Sequence, residues 1–176
     1  MIHLHDMKFQ VFISVEDIHF SIENMAKQIE DDFCDDVPVF IGVLNGAFMV
    51  VADLLKKYSH NCEVSFVKMA SYEGTQTTNE VKELIGLNQS LEGRSVIIVE
   101  DIVDTGNTIE ELKAIMKQHN VKHFKIATLF LKPEAYTKDI KLDYVGIRIP
   151  NKFIVGYGLD YDGLGRNLKD IYQLSE

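Results

Sequence analysis

Four β-branched apolar residues in a row, Val96-Ile97-Ile98-Val99, set the first limit on what this chain can fold into. A strand that is apolar on both faces must be covered on both faces, as in a parallel sheet flanked by helices. Glu100-Asp101 and the stretch Ile102-Val103-Asp104-Thr105-Gly106-Asn107-Thr108 follow the run, and then comes a helical pattern over Ile109–His119. The rest of the chain repeats this alternation. Phe9–Ser14 reads as a strand. Ser21–Phe33 reads as an amphipathic helix, with Ile22, Met25, Ala26, Ile29 and Phe33 at helical spacing. Val39–Leu44 reads as a buried strand, followed by a tight turn at Asn45-Gly46 and a helix toward Lys57. Glu63–Ala70, Phe124–Leu131, Tyr144–Ile149 and Phe153–Tyr157 read as further strands, and Ser71 to about Glu80 as a long polar loop. The expected class is α/β, a mostly parallel twisted sheet flanked by helices.

Length and charge narrow the function. A chain of 176 residues is one domain. Its 18 Lys+Arg against 27 Asp+Glu give a formal charge of -9, which argues against nucleic acid as a partner, since phosphate recognition needs a basic footprint. Cys34 and Cys62 are too few for a disulfide framework and fit a reducing, cytoplasmic setting. Met1–Asp6 lacks the basic and apolar regions of a secretory signal. The apolar stretch Val37–Ala52 falls short of the roughly 20 residues of a membrane helix, so no membrane partner is expected. The acids Glu30, Asp31, Asp32, Asp35 and Asp36 read as a solvated helix end. The six histidines, among them His3 with His5 and His119 with His123, read as structural or solvated rather than as zinc ligands.

The stretch from Glu100 to Thr108 carries the chemistry. Ligands of open α/β sheets bind beyond the carboxyl ends of the strands. A helix N-terminus there offers unpaired N–H groups and a positive dipole end, which suits a phosphate. Gly106 allows close backbone approach, and Thr105 and Thr108 add hydroxyl donors. Thr108-Ile109-Glu110-Glu111 also fits a capping box. The acids at the strand end would repel a phosphate unless ligand hydroxyls or Mg²⁺ stood between them. A phosphorylated sugar meets both conditions.

The stretch Glu100–Thr108 resembles the phosphoribosyl-diphosphate (PRPP) signature of the type I phosphoribosyltransferases. Leu44-Asn45-Gly46, Ser71-Tyr72, Leu131-Lys132-Pro133, the segment Lys152–Tyr161 and Arg166 extend the likeness over nearly the whole chain, toward the members that act on 6-oxopurines such as hypoxanthine and guanine. The resemblance implies one domain over residues 1–176, with a core of about 36–150 and a small hood from about 1–15 and 151–176. It implies transfer of the phosphoribosyl group to a purine, with Asp104 as general base and residues 104–108 (Asp104, Thr105, Gly106, Asn107, Thr108) holding the 5′-phosphate. Glu100 and Asp101 would contact the ribose hydroxyls and Mg²⁺-bound water, and Asp160 would bind a second Mg²⁺ with the pyrophosphate. Leu44, Asn45, Gly46 and Arg166 would bind pyrophosphate, the first three through a cis peptide. Lys132 would donate to the 6-oxo group, Phe153 would stack on the base, and Ile154 would read its edge through the backbone. Ser71 and Tyr72 would open a mobile lid. Asn45 and Asn107 stand where many members carry lysine, which removes positive charge near phosphate. A homodimer or homotetramer is implied. The alternatives are an RNA-binding regulator on the same fold and a transferase for another base.

Overall fold

The computed structural model describes residues 1–69, the backbone of 83–85, and residues 89–175. The expected strand Val96–Val99 runs from Ser95 to Val103 and is the third-from-last strand, β6, of a six-stranded sheet. The sheet also contains β3 (Val39–Leu44), β4 (Glu63–Met69), β5 (Glu83–Ile85), β7 (His123–Leu131) and β8 (Tyr144–Arg148), in the order β5-β4-β3-β6-β7-β8. All neighbours are parallel except β5, which is antiparallel to β4. Val96 to Val99 are fully buried because both faces of the sheet are covered. On one face α1 (Val15–Asp32) and α2 (Phe48–Lys57) bury Ile18, Ile22, Met25, Ile29, Val50 and Leu54 against Phe40, Ile97 and Val99. On the other face α3 (Asn107–Gln118) packs Leu112 and Met116 against Val39, Ile41, Val96 and Ile98.

Both ends of the chain form a second sheet. β1 (Ile2–Leu4), β2 (Met7–Ile13), β10 (Ile171–Leu174) and β9 (Ile154–Val155) pair antiparallel in the order β1-β2-β10-β9. Strands β1, β5 and β10 are too short to leave a periodicity in the sequence.

Several boundaries differ from expectation, each for a local reason. Helix α1 starts at Val15 rather than Ser21, because Ser14 caps it: its hydroxyl accepts from Asp17 N at 3.2 Å. The expected strand Phe153–Tyr157 keeps only Ile154 and Val155, because Gly156, Tyr157 and Gly158 all take positive φ. The acidic stretch at the end of α1 is not simply solvated. Asp32 accepts from the Tyr144 hydroxyl at 2.6 Å, and Asp36 from the Ser95 hydroxyl at 2.5 Å. No helix among the described residues is long and apolar enough to cross a membrane.

Candidate active site

Strand order changes direction between β3 and β6: the chain steps outward from β3 to β4, then returns to the other side of β3 with β6. Such a switch point opens a crevice at the carboxyl ends of the strands. Here β3 and β6 stay paired only as far as Gly42 and Val99. Past that pair each strand carries its own polar segment into the opening.

Glu100 and Asp101 lie within β6, not beyond its end. The strand continues to Val103 because Ile102 and Val103 still pair with Phe130 and Leu131 of β7. Adjacent strand residues point to opposite faces, so the two acids have different surroundings. Glu100 is 5% exposed, and burial followed by repulsion from Asp101 pushes its carboxyl well above the usual range. Burial also raises Asp101, to about 6, although the Ile102 backbone N–H and the Arg166 charge pull it down. Asp101 sits directly against the loop after β3: a Cβ on Gly46 would fall 1.6 Å from its Oδ2. That loop contains a cis peptide between Leu44 and Asn45.

Asp104, Thr105 and Gly106 connect β6 to α3. The capping box expected at Thr108 is absent. Gly106 is the N-cap, and Asn107 and Thr108 are the first residues of the helix. A glycine cap has no side chain to satisfy the first N–H groups, which leaves them for a ligand. Gly106 is required for a reason other than ligand approach. Its φ is +87°, and a Cβ would lie 2.5 Å from the Tyr136 ring and 2.8 Å from Lys138 Cγ. The segment after β7 packs on this loop: Lys138 Nζ reaches Glu110 Oε2 at 2.6 Å, and Thr137 N donates to Thr105 O at 3.4 Å. Tyr136, Thr137 and Lys138 left no signal in the sequence, because their contacts lie about 30 residues away along the chain.

This packing brings Lys132, the residue after β7, to the same place. Lys132 is 9% exposed, and its Nζ donates to Asp104 Oδ2 at 2.8 Å. A buried ammonium thus faces a half-exposed carboxylate beside the N-terminus of α3.

Asp160 and Arg166 face each other across a turn, Nη2 to Oδ1 at 2.6 Å. Arg166 also donates from Nη1 to Gly158 O at 2.7 Å, and Asp160 Oδ2 accepts from Gly163 N at 2.7 Å. Gly158 in turn lies on the β3 loop, where a Cβ would fall 2.1 Å from Gly46 O. Phe153 is 46% exposed, with its ring edge-on to Tyr161 at 5.8 Å and beside Phe9 at 6.2 Å. Ile154 next to it is buried in β9. Ser71 and Tyr72 lie outside the described residues.

The acids Glu100, Asp101 and Asp160 are hard oxygen donors of the kind Mg²⁺ takes. Burial is the main cause that raises the carboxyls of Glu100 and Asp101. No three His, Cys, Asp or Glu side chains gather into a ready metal cage among the described residues. An ion at these acids would have to take further oxygens from substrate and water.

Residues 14–162 match the model of the phosphoribosyl transferase domain family. The chain is 40% identical over 173 residues to a hypoxanthine-guanine phosphoribosyltransferase of Streptococcus agalactiae, covering 98% of this chain and 96% of that one. It is also 40% identical over 164 residues to the enzyme of that name from Staphylococcus epidermidis, with coverage of 93% and 91%. Among solved structures, a hypoxanthine-guanine phosphoribosyltransferase of Bacillus anthracis with HEPES in its active site superposes with a TM-score of 0.88. The two are 38% identical, over 97% and 98% of the chains. The Trypanosoma cruzi hypoxanthine phosphoribosyltransferase in complex with the product IMP gives a TM-score of 0.88 at 33% identity, over 99% and 98%.

Proposed function

The chain belongs to the phosphoribosyltransferase family, and from that premise we propose that it transfers the 5-phosphoribosyl group of PRPP to a 6-oxopurine, hypoxanthine and also guanine, in purine salvage. The products are IMP or GMP and pyrophosphate. One observation supports the base specificity above the rest: Lys132 and Asp104 stand 2.8 Å apart at the crevice.

A 6-oxopurine presents a carbonyl oxygen at C6 beside a proton on N7. The Lys132 ammonium donates to the first, and the Asp104 carboxylate accepts the second. Adenine presents an amino group at C6, which would set two donors against each other where the 6-oxo group gives an acceptor. As the bond from C1′ to the diphosphate breaks, the ribose gains oxocarbenium character. N9 of the base attacks C1′ as the bond to the diphosphate breaks, and Asp104 takes the proton from N7.

The residues around C1′ hold both ends of the sugar. The N–H groups at the start of α3 and the hydroxyls of Thr105 and Thr108 receive the 5′-phosphate, with Asp104, Gly106 and Asn107 completing the loop. Glu100 and Asp101 accept from the ribose hydroxyls. Leu44, Asn45, Gly46 and Arg166 take the pyrophosphate, and to reach it Arg166 gives up its contacts with Asp160 and Gly158. Phe153 stacks on the base, and Ile154 reads its edge through the backbone. One Mg²⁺ would be held at Glu100 and Asp101 through its water, and a second by Asp160 together with the pyrophosphate, where the ions would neutralise charge on the leaving diphosphate. The antiparallel sheet of the chain ends is the hood, about 1–15 and 151–176, over a core of about 36–150. The enzyme acts in the cytoplasm as a homodimer or homotetramer.

The test is a spectrophotometric assay of hypoxanthine, guanine, xanthine and adenine with PRPP and Mg²⁺. Turnover of hypoxanthine and guanine with adenine inert is expected. Turnover of adenine alone would overturn the reading.

A further inference from the structure

The segment after β9 carries Asp160 and Arg166 on an awkward backbone. Gly156, Tyr157 and Gly158 have φ of 106°, 47° and 100°. Glycine enters this region freely, but a bulky aromatic residue is uncommon there and needs its surroundings to hold it. Tyr157 is 1% exposed. Its hydroxyl donates to Asp53 Oδ2, on the second turn of α2. The other oxygen of Asp53 accepts from Lys56 Nζ at 2.9 Å. His19 of α1 brings Nε2 to 3.5 Å from Oδ2, and its ring stands edge-on to Tyr157, 6.4 Å between centroids. Three separate parts of the chain therefore meet at one carboxylate.

The two ends of this contact belong to the two walls of the diphosphate subsite. Helix α2 follows directly on the Leu44–Gly46 loop. Gly158, next to Tyr157, lies on Gly46 O so closely that a Cβ would stand 2.1 Å from it. Gly158 N donates to Arg166 O at 3.0 Å, and Tyr157 N to Leu168 O at 2.8 Å, so the Arg166 turn is hung from the same residues. We infer that Asp53 and Tyr157 are positioning residues for the transfer reaction: their hydrogen bond latches the Gly158–Arg166 segment onto the Leu44–Gly46 loop and so sets the spacing of the groups that grip the diphosphate. Neither residue touches substrate. The inference rests on the transferase reading above.

Tyr157→Phe keeps the ring and its burial and deletes only the donor. It is expected to raise KM for PRPP and the inhibition constant of pyrophosphate about tenfold, with KM for hypoxanthine within about twofold of the parent. A role in stability alone would lower the melting temperature and the active fraction without separating the two KM values. Asp53→Ala should reproduce the split, and the double variant should be no worse than either single one, because both delete the same bond. Asp53→Asn, which keeps an acceptor oxygen, should shift KM for PRPP less than Asp53→Ala. An unchanged KM for PRPP, an equal rise for both substrates, or failure of Tyr157→Phe to fold would overturn the latch. Absence of PRPP-dependent turnover in the parent enzyme would instead overturn the transferase reading, so the two failures are distinguishable.

Discussion

Asp104 and Lys132 show how much one residue's neighbour decides. A lysine after a strand is by default an exposed side chain, and resemblance alone gave Lys132 its role. Its burial and its 2.8 Å contact with Asp104 give that role a physical basis. Asp104→Asn removes a base and leaves every phosphate donor in place, so kcat should fall by about 10²–10⁴ while PRPP still binds. Wild-type turnover in this variant, measured by steady-state kinetics beside PRPP titration, would show the proton goes elsewhere. Lys132→Ala removes the donor proposed for the 6-oxo group, and the ratio of kcat/KM for hypoxanthine over adenine should drop at least tenfold. Asp53 gives a pH test. Burial acts to raise its carboxyl, but hydrogen bonds from Tyr157 and Lys56 outweigh it and bring the group below the ordinary 3.8. A lowered carboxylate stabilises the fold fully above 3.8, and that contribution is lost as pH falls through the folded value. The destabilisation by Tyr157→Phe, on the order of 1–3 kcal/mol at pH 7, should therefore shrink toward pH 3 in urea melts. A constant difference across that range would mean the bond does not favour the ionised acid.

At the scale of elements, the decisive joint is the one between β6 and α3. Strand and helix were legible in outline because a β-branched run and a 3.6-residue period are local signals. Their ends were not. β6 continues through Glu100 and Asp101 because β7 still offers it partners, and a partner strand is invisible in one strand's own sequence. The helix begins at Asn107 with a glycine cap, so Thr108 serves in the first turn rather than as the cap. Gly106 was legible as special, but the reason was not: its missing side chain makes room for Tyr136 and Lys138. Gly106→Ala therefore strains the left-handed turn and pushes the segment after β7 away. It should cost about 1–3 kcal/mol of stability and weaken PRPP binding about tenfold or more, because the same turn aims the α3 N–H groups. Calorimetric titration with PRPP and a thermal melt check both; unchanged affinity would free the loop from its proposed role.

At the scale of the whole molecule, the proposed reaction needs a divalent ion held by the diphosphate as well as by the protein's acids. The acids of the site do not form a metal cage among the described residues, and two of them, Glu100 and Asp101, are held above their ordinary range by burial. Turnover should accordingly vanish in excess EDTA and return with Mg²⁺, and full activity in EDTA would contradict the diphosphate arrangement. By itself the sequence determined the α/β class and, β5 apart, the strands and helices of the large sheet. Hydrophobic periodicity and short motifs are properties of neighbours along the chain, and nothing else is needed to read them. The hood of both chain ends was already implied by the family resemblance, and the tertiary structure decided the contacts that no resemblance gave: Lys132 turned onto Asp104, and Asp53 bonded to Tyr157. Those contacts join residues from 28 to 104 positions apart in the case of the side-chain pairs. The burial that fixes them comes from the packing of the whole fold, which no local stretch of sequence encodes.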